Sequence, residues 1–406
     1  TDTAQSIART NPSTPLSAET GGKNAIILTA SGDRDHAIMN IVTSAFGNAG
    51  QKCSACSLLL VERSVYEDKN FQDKLKDAAT SIKVGSVWEA GNVVGPMITN
   101  RNDKLLQALT LEPGESWLVP PKFIDEKQYI LAPTVKWGVK PGSYSFRTEL
   151  FGPMLSVACI DNLQQGIELV NSLDYGLTSG LQSLDENEQK LWKDSILAGN
   201  LYINRGITGA IVNRQPFGGM KLSAFGGGVK AGGPNYCACL VKITDKPESN
   251  TDYKQSYPHA YEEEFAHARD INKLYGEQNA FRYLPLKNMV LRLFPGDSNE
   301  EAEMIALATK LCHTPLTISF DPNDDRTTAL SSTGCTLKKE TLDEFLKTMR
   351  SYERIRTCGA DIPMEMYEEA ARRNKYIATA KPVKNGRVEL IPVSYTHLTL
   401  PTTPYV

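Results

Sequence analysis

The feature that most constrains this chain is a break in periodicity. From Asp35 to Phe46, apolar residues recur at Ala37, Ile38, Ile41, Val42 and Ala45, the spacing of one helix face. The pattern stops at Gly47-Asn48-Ala49-Gly50-Gln51-Lys52-Cys53-Ser54, and the apolar run Ser57 to Val61 then reads as a buried strand. A helix must therefore turn sharply and deliver Cys53 to the edge of a sheet. Backbone N–H groups at such a turn favour the thiolate, the nucleophilic form of cysteine. Upstream, Glu19 lies in Ala18-Glu19-Thr20-Gly21-Gly22-Lys23-Asn24, a second glycine-softened segment that can bring a carboxylate near that sulfur. A carboxylate opposes thiolate formation but suits the later activation of water. The pair reads as acylation followed by hydrolysis.

Other readings of the same residues stay open. A lone cysteine commonly serves as a small buried hydrophobe. Cys53 and Cys56 form a C-x-x-C, which also fits a redox dithiol or half a zinc site. Cys159, Cys237, Cys239, Cys312, Cys335 and Cys358 supply no second C-x-x-C, and the histidines form no H-x(3–5)-H pair, so no metal site is expected. A cysteine-protease pattern needs a histidine base, and in this half of the chain only His36 is available, inside the expected helix.

Amphipathic runs at 65–82, 101–111, 163–173 and 185–197 alternate with strand-like runs at 116–120, 129–135, 154–160 and 199–204, which argues for an α/β domain. Proline and polar residues from Asp245 to Pro258 suggest a linker or a strand crossing between subunits. Beyond it, helices expected near 299–312, 340–356 and 363–374 alternate with strands near 288–293, 315–319 and 375–379, a second and smaller α/β domain. With 406 residues, 41% of them hydrophobic, the chain has material for two domains or more. A formal charge of −3 gives no electrostatic reason to expect nucleic acid or an anionic membrane as partner. No apolar run approaches the ~20 residues of a membrane span, and irregularly spaced cysteines fit a reducing cytoplasm.

With these residues in place, the chain resembles the aldehyde dehydrogenase superfamily. Arg147-Thr148-Glu149-Leu150-Phe151-Gly152-Pro153 is similar to its E-x-F-G-P element, Asn171 to Thr178 to its N-x-x-x-Y-G-L segment, and Gly199 to Asn204 to its G-x-x-x-x-N strand. The resemblance implies a three-layer α/β/α catalytic fold, Cys53 as nucleophile and Glu19 as base. It also implies NAD as cofactor, held by Glu149, Phe151 and Gly21. Thr208 to Gly219, followed by Lys230 to Tyr236, resembles the aldehyde-anchor loop of L-glutamate γ-semialdehyde dehydrogenases. Gly209, Ala210 and Ser54 would then bind the substrate's α-carboxylate, and Phe217 would wall its aliphatic part. Read alone, that glycine-rich stretch is a flexible loop without the spacing of a phosphate loop.

The region beyond about residue 250 resembles the C-terminal domain of long proline utilization A proteins, which join proline dehydrogenase to semialdehyde dehydrogenase. That resemblance implies residues 1–245 as the catalytic portion, 246–262 as linker or crossing strand and 263–392 as an incomplete C-terminal domain. It also implies a homo-oligomeric parent, with FAD only in an upstream proline dehydrogenase. Thr1-Asp2-Thr3-Ala4 resembles the middle of the family's G-S-T-E element, so the N-terminal NAD-binding half is expected to lie largely outside this sequence, leaving the polypeptide as written without useful dehydrogenase activity. Residues 393–406 resemble a translated sequencing adapter and are expected to be an artefact. Other functions remain in view: a monofunctional or other aldehyde dehydrogenase, a coenzyme A-acylating member, disfavoured by Glu19 and the semialdehyde anchor, and an inactive fragment with a structural role, above all for the tail.

Overall fold

The computed structural model of the protein describes the chain except residues 101, 126, 128, 212, 213, 247, 248, 360 and 402–406. Val212 and Asn213 of the anchor motif and the last five residues of the terminal segment thus lie outside the described residues. The chain divides into two compact units. One comprises residues 20–223, 271–279 and 398–406, and the other residues 1–19, 224–270 and 280–397.

In the first unit, residues 398–401 are followed across the sheet by the strands Asn200–Ile203, Thr178–Gln182, Asn24–Leu28, Cys56–Glu62, Met154–Ile160, Thr134–Trp137 and Ser116–Val119. Every pairing is parallel except the last, which is antiparallel. Parallel strands covered on both faces read as unbroken apolar runs, and Asn24–Leu28 is buried at every position. Leu58, Leu60, Ala25, Ile27 and Leu201 pack with Trp192 in one core beneath the sheet. The helix Arg34–Phe46 starts where the Asp33 side chain accepts the His36 N–H at 2.9 Å.

The expected break after this helix is a run of left-handed residues: Asn48 (φ 56°), Ala49 (φ 53°) and Gly50 (φ 65°). Such backbone costs a non-glycine residue about 1–2 kcal/mol. At Gly50 a Cβ would collide with the Gly152 carbonyl, so glycine is required there by close approach as well as by φ.

The second unit contains a five-stranded parallel sheet in the order Thr336–Lys339, Leu316–Phe320, Met289–Arg292, Arg354–Arg356, Ile377–Ala378. This is the doubly wound arrangement, in which the chain starts centrally and builds outward both ways. Alternate residues of the central strand feed opposite cores, Met289 and Leu291 on one face and Val290 on the other. The helices Asn299–Leu311 and Leu342–Thr348 each begin with a capping box, Ser298 with Glu301 and Thr341 with Glu344.

The structure corrects several expectations. The helix expected over 340–356 ends at Thr348, and Arg354–Arg356 is a strand. Both of its arginines are buried: Arg354 donates to the carbonyls of Pro392 and Gly227, and Arg356 pairs with Glu389. The strand expected over 129–135 begins only at Thr134, because Pro133 cannot donate to a ladder. The run 65–82 is two helices, split where Asp68 caps the second. Within the segment expected as linker or crossing strand, Tyr253–Ala260 is a helix capped by Asp252. No helix among the described residues is long and apolar enough to cross a membrane.

The Arg356–Glu389 pair spans 2.7 Å with both side chains 2% exposed, and Glu389 also accepts the Val383 N–H at 3.0 Å. Burial pushes the Glu389 carboxyl up while Arg356 draws it back down. Arg356→Met should therefore cost about 3–5 kcal/mol by stranding a buried carboxylate. Arg356→Met with Glu389→Leu should recover most of that loss, as read by urea unfolding.

Candidate functional site

The parallel strands of the first unit begin side by side. Thr178 registers with Asn200, Asn24 with Cys56 and Thr134 with Met154. The segments just before these starts therefore share one rim of the sheet: Gly21-Gly22, Cys53-Ser54 and Glu149 to Phe151.

Asn24 ties this rim together. Its Nδ2 donates to the Cys53 carbonyl at 2.7 Å and the Ala55 carbonyl at 3.1 Å, while its Oδ1 accepts the Thr178 N–H at 3.1 Å. Gly22 must be glycine, since a Cβ would stand 2.8 Å from the Cys53 carbonyl oxygen. The Cys53 residue is exposed, and Ser54 beside it is buried at 5%, its carbonyl accepting from Thr178 Oγ1 at 3.4 Å. Cys56 differs from Cys53: it is buried, its Sγ donates to the Leu58 carbonyl at 3.4 Å, and burial pushes its thiol up to about 12. A thiol held protonated in this way is a poor partner for redox exchange.

Glu149 lies against the glycine pair. Its Oε1 accepts the Gly22 N–H at 2.8 Å, and a Cβ on Gly21 would collide with its carboxylate. Burial raises its pKa, opposed by the Gly22 N–H and by the charges of Lys104 and Lys23. Lys23 is 3% exposed, donates to the Ser57 carbonyl at 3.3 Å, and is lowered to about 7 by burial. Phe151 is 37% exposed in a left-handed conformation (φ 49°), fixed where Gln51 Nε2 donates to its carbonyl at 3.1 Å. Gly22, Gly50, Lys52, Cys56, Glu149 and Phe151 line one shallow cavity. This cradle fits the ribose end of a dinucleotide: a carboxylate with one oxygen already oriented, small glycines allowing close approach, and a presented aromatic ring.

The anchor loop is held by two buried amides. Asn200 Nδ2 donates to the Pro216 carbonyl at 3.0 Å, and its Oδ1 accepts the Gly218 N–H at 3.2 Å. Gln215 Oε1 accepts the Ile211 N–H at 3.0 Å, and its Nε2 donates to Asn279 at 3.2 Å. Gly209 (φ 87°) is exposed with open space where a Cβ would stand, while Ala210 and Phe217 are half-buried. Glu19 lies in the other unit, in a two-residue strand whose partner across the ladder is Ala224.

Sequence reasoning passed over Asn24, Asn200 and Gln215. Each is a buried amide in or beside a quoted motif, and a buried amide needs several partners. Removing one set of bonds exposes the role: Asn24→Ala should lower the urea unfolding free energy by about 2–3 kcal/mol. It should also alter the rate at which iodoacetamide alkylates Cys53, followed by mass spectrometry.

The sequence pattern of the aldehyde dehydrogenase family matches residues 1–244. A 1-pyrroline-5-carboxylate dehydrogenase of Geobacillus kaustophilus is 36% identical over 221 residues, which cover 54% of this chain and 42% of that protein. The namesake from Staphylococcus haemolyticus is 36% identical over 224 residues with the same coverage. Among solved structures, Proline Utilization A from Corynebacterium freiburgense matches with a TM-score of 0.83 and 36% identity, covering 100% of this chain and 41% of its own. A 1-pyrroline-5-carboxylate dehydrogenase from Thermus with bound NAD matches with a TM-score of 0.51 and 34% identity, over 55% of this chain and 43% of its own. The chain thus spans less than half the length of these relatives. Since the family pattern covers more than half of the residues here, the chain belongs to the aldehyde dehydrogenase family.

Proposed function

We propose that this chain carries the nucleophile, base and substrate anchor of an NAD-dependent L-glutamate γ-semialdehyde dehydrogenase. The observation that carries the reading is an exposed Cys53, mounted by Asn24 on the same rim as the Gly22–Glu149 cradle. The names of the relatives support the substrate class, and the bound NAD of the Thermus protein supports the cofactor.

In this reading the Cys53 sulfur bonds to the aldehyde carbon, giving a thiohemiacetal. Glu149 would hold the cofactor ribose through its free oxygen and Phe151 would flank the nicotinamide. NAD, when bound, supplies the hydride acceptor that takes the thiohemiacetal to a thioester. Water then gives a proton to the Glu19 carboxylate and its oxygen bonds to the thioester carbon. The C–S bond breaks, the Cys53 thiolate returns and glutamate leaves. The Gly209 and Ala210 N–H groups with the Ser54 hydroxyl would bind the α-carboxylate, and Phe217 would pack on the methylenes. The parent polypeptide is of the bifunctional type, with FAD in an upstream proline dehydrogenase, a reading supported by likeness to Proline Utilization A along the whole chain.

The test uses the longer parent polypeptide, with NADH and glutamate measured as products. Cys53→Ala should abolish both. Glu19→Gln should leave acylation intact and slow deacylation by about 10²–10⁴-fold, so that mass spectrometry finds the acyl group accumulating on Cys53. Glutamate production by the Cys53→Ala protein would overturn the assignment.

A further inference from the structure

One stretch of the chain folds away from its neighbours in sequence. Residues 271–279 belong to the first unit, whereas residues 224–270 and 280–397 on either side of them belong to the second. Within the first unit they meet the anchor loop. Asn272 Nδ2 donates to the Arg214 carbonyl at 3.3 Å, and Asn279 Oδ1 accepts from Gln215 Nε2 at 3.2 Å. Gln215 passes the contact on, its Oε1 accepting the Ile211 N–H at 3.0 Å. Asn279 and Gln215 are each 3% exposed, so both amides need partners inside the protein. Glu277 extends the chain of bonds. Its Oε1 accepts from Asn279 Nδ2 at 3.2 Å and its Oε2 from Arg205 Nη1 at 3.1 Å.

Arg205 stands at the root of the loop, and that root is fixed. Gln182 Nε2 donates to the Arg205 carbonyl at 3.1 Å, and Ser44 Oγ accepts the Ile207 N–H at 3.0 Å. The Asn204 side chain accepts the Ser183 N–H at 2.9 Å and donates to the Ser183 carbonyl at 2.8 Å. Arg205, Glu277, Asn279, Gln215 and Ile211 thus close a circuit from the root of the loop to its far arm. Gly209 and Ala210 lie inside that circuit. Gly209 sits at φ 87° with open space where a Cβ would stand, so the residues on either side decide where its N–H points.

We propose that Glu277 and Asn279 are positioning residues of the anchor loop, holding the Gly209 and Ala210 N–H groups, through Gln215, in the arrangement that receives a substrate's distal carboxylate. The inference rests on the proposed role of those N–H groups in binding the α-carboxylate. A loop ordered in advance loses less conformational freedom when its ligand arrives, so the brace acts on affinity for a carboxylate-bearing aldehyde. An aldehyde without that carboxylate makes no use of those N–H groups.

The test follows NADH formation by the longer parent polypeptide with two aldehydes, L-glutamate γ-semialdehyde and propanal, which lacks the carboxylate. The unaltered protein should prefer the semialdehyde. Glu277→Ala and Asn279→Ala should each raise KM for the semialdehyde about tenfold, the scale of one lost buried hydrogen bond. Its kcat, and both constants for propanal, should stay unchanged. Because Asn279 acts through Gln215, combining Asn279→Ala with Gln215→Ala should cost less than the two single losses multiplied together. A semialdehyde KM unmoved in both single variants, losses that fall equally on propanal, or full multiplication in the double variant overturns the positioning role while leaving the semialdehyde reading intact. An unaltered protein with no preference for the semialdehyde overturns that reading, and this inference with it.

Discussion

The rim that carries Cys53 depends on one primary amide. Asn24 sits at the first position of its strand, so its side chain projects where neighbouring strands also begin. Its donor end takes two carbonyls of the Cys53–Ala55 turn and its acceptor end takes the first N–H of the next strand. An aspartate would lose the donors and a serine would lack the reach. The register makes this local tie general: because strand starts align, each connecting segment reaches the rim at the same height. Asn200 repeats the device one strand further on, gripping Pro216 and Gly218 and returning a loop that left from the opposite end of its strand.

Burial shifts the proton affinities of two lysines and two carboxylates by the same physics. Lys23 and Lys230 are each driven down to about 7, while Glu149 and Glu19 are each driven up. Desolvation disfavours the charged form of acid and amine alike. At Glu149 the Gly22 N–H, donating at 2.8 Å, opposes that rise.

The parts of this architecture that sequence reveals are those that repeat or break a period. The helix Arg34–Phe46 and the strand Cys56–Glu62 follow from apolar spacing, and the turn between them follows from its glycines. The E-x-F-G-P element is readable as a motif, but the left-handed Phe151 within it is not, because its conformation depends on Gln51 and Asn102 from distant segments. Arg354–Arg356 was hidden for a related reason: two arginines in three residues read as solvated until Glu389 and the carbonyls of Gly227 and Pro392 supply partners. Local pattern reports propensity, whereas partners far away in sequence decide whether a charge can be buried.

The second unit shows how strand order and site chemistry separate. Its sheet has the doubly wound order whose central crevice, at the carboxyl ends of the strands, receives dinucleotides in other proteins. Phosphate binding there needs free N–H groups at the start of the helix that follows the first strand. Here that helix begins with Ser298 and Glu301 satisfying one another, and Asp297 accepts the Phe294 N–H at 2.8 Å. Asp297, Glu301 and the buried Cys358 bring their polar atoms within 4.8 Å of one another. An incoming phosphate would meet carboxylates where it needs donors, and the Ser298 and Glu301 N–H groups are already taken. The fold supplies the crevice, and the residues at its mouth oppose that ligand.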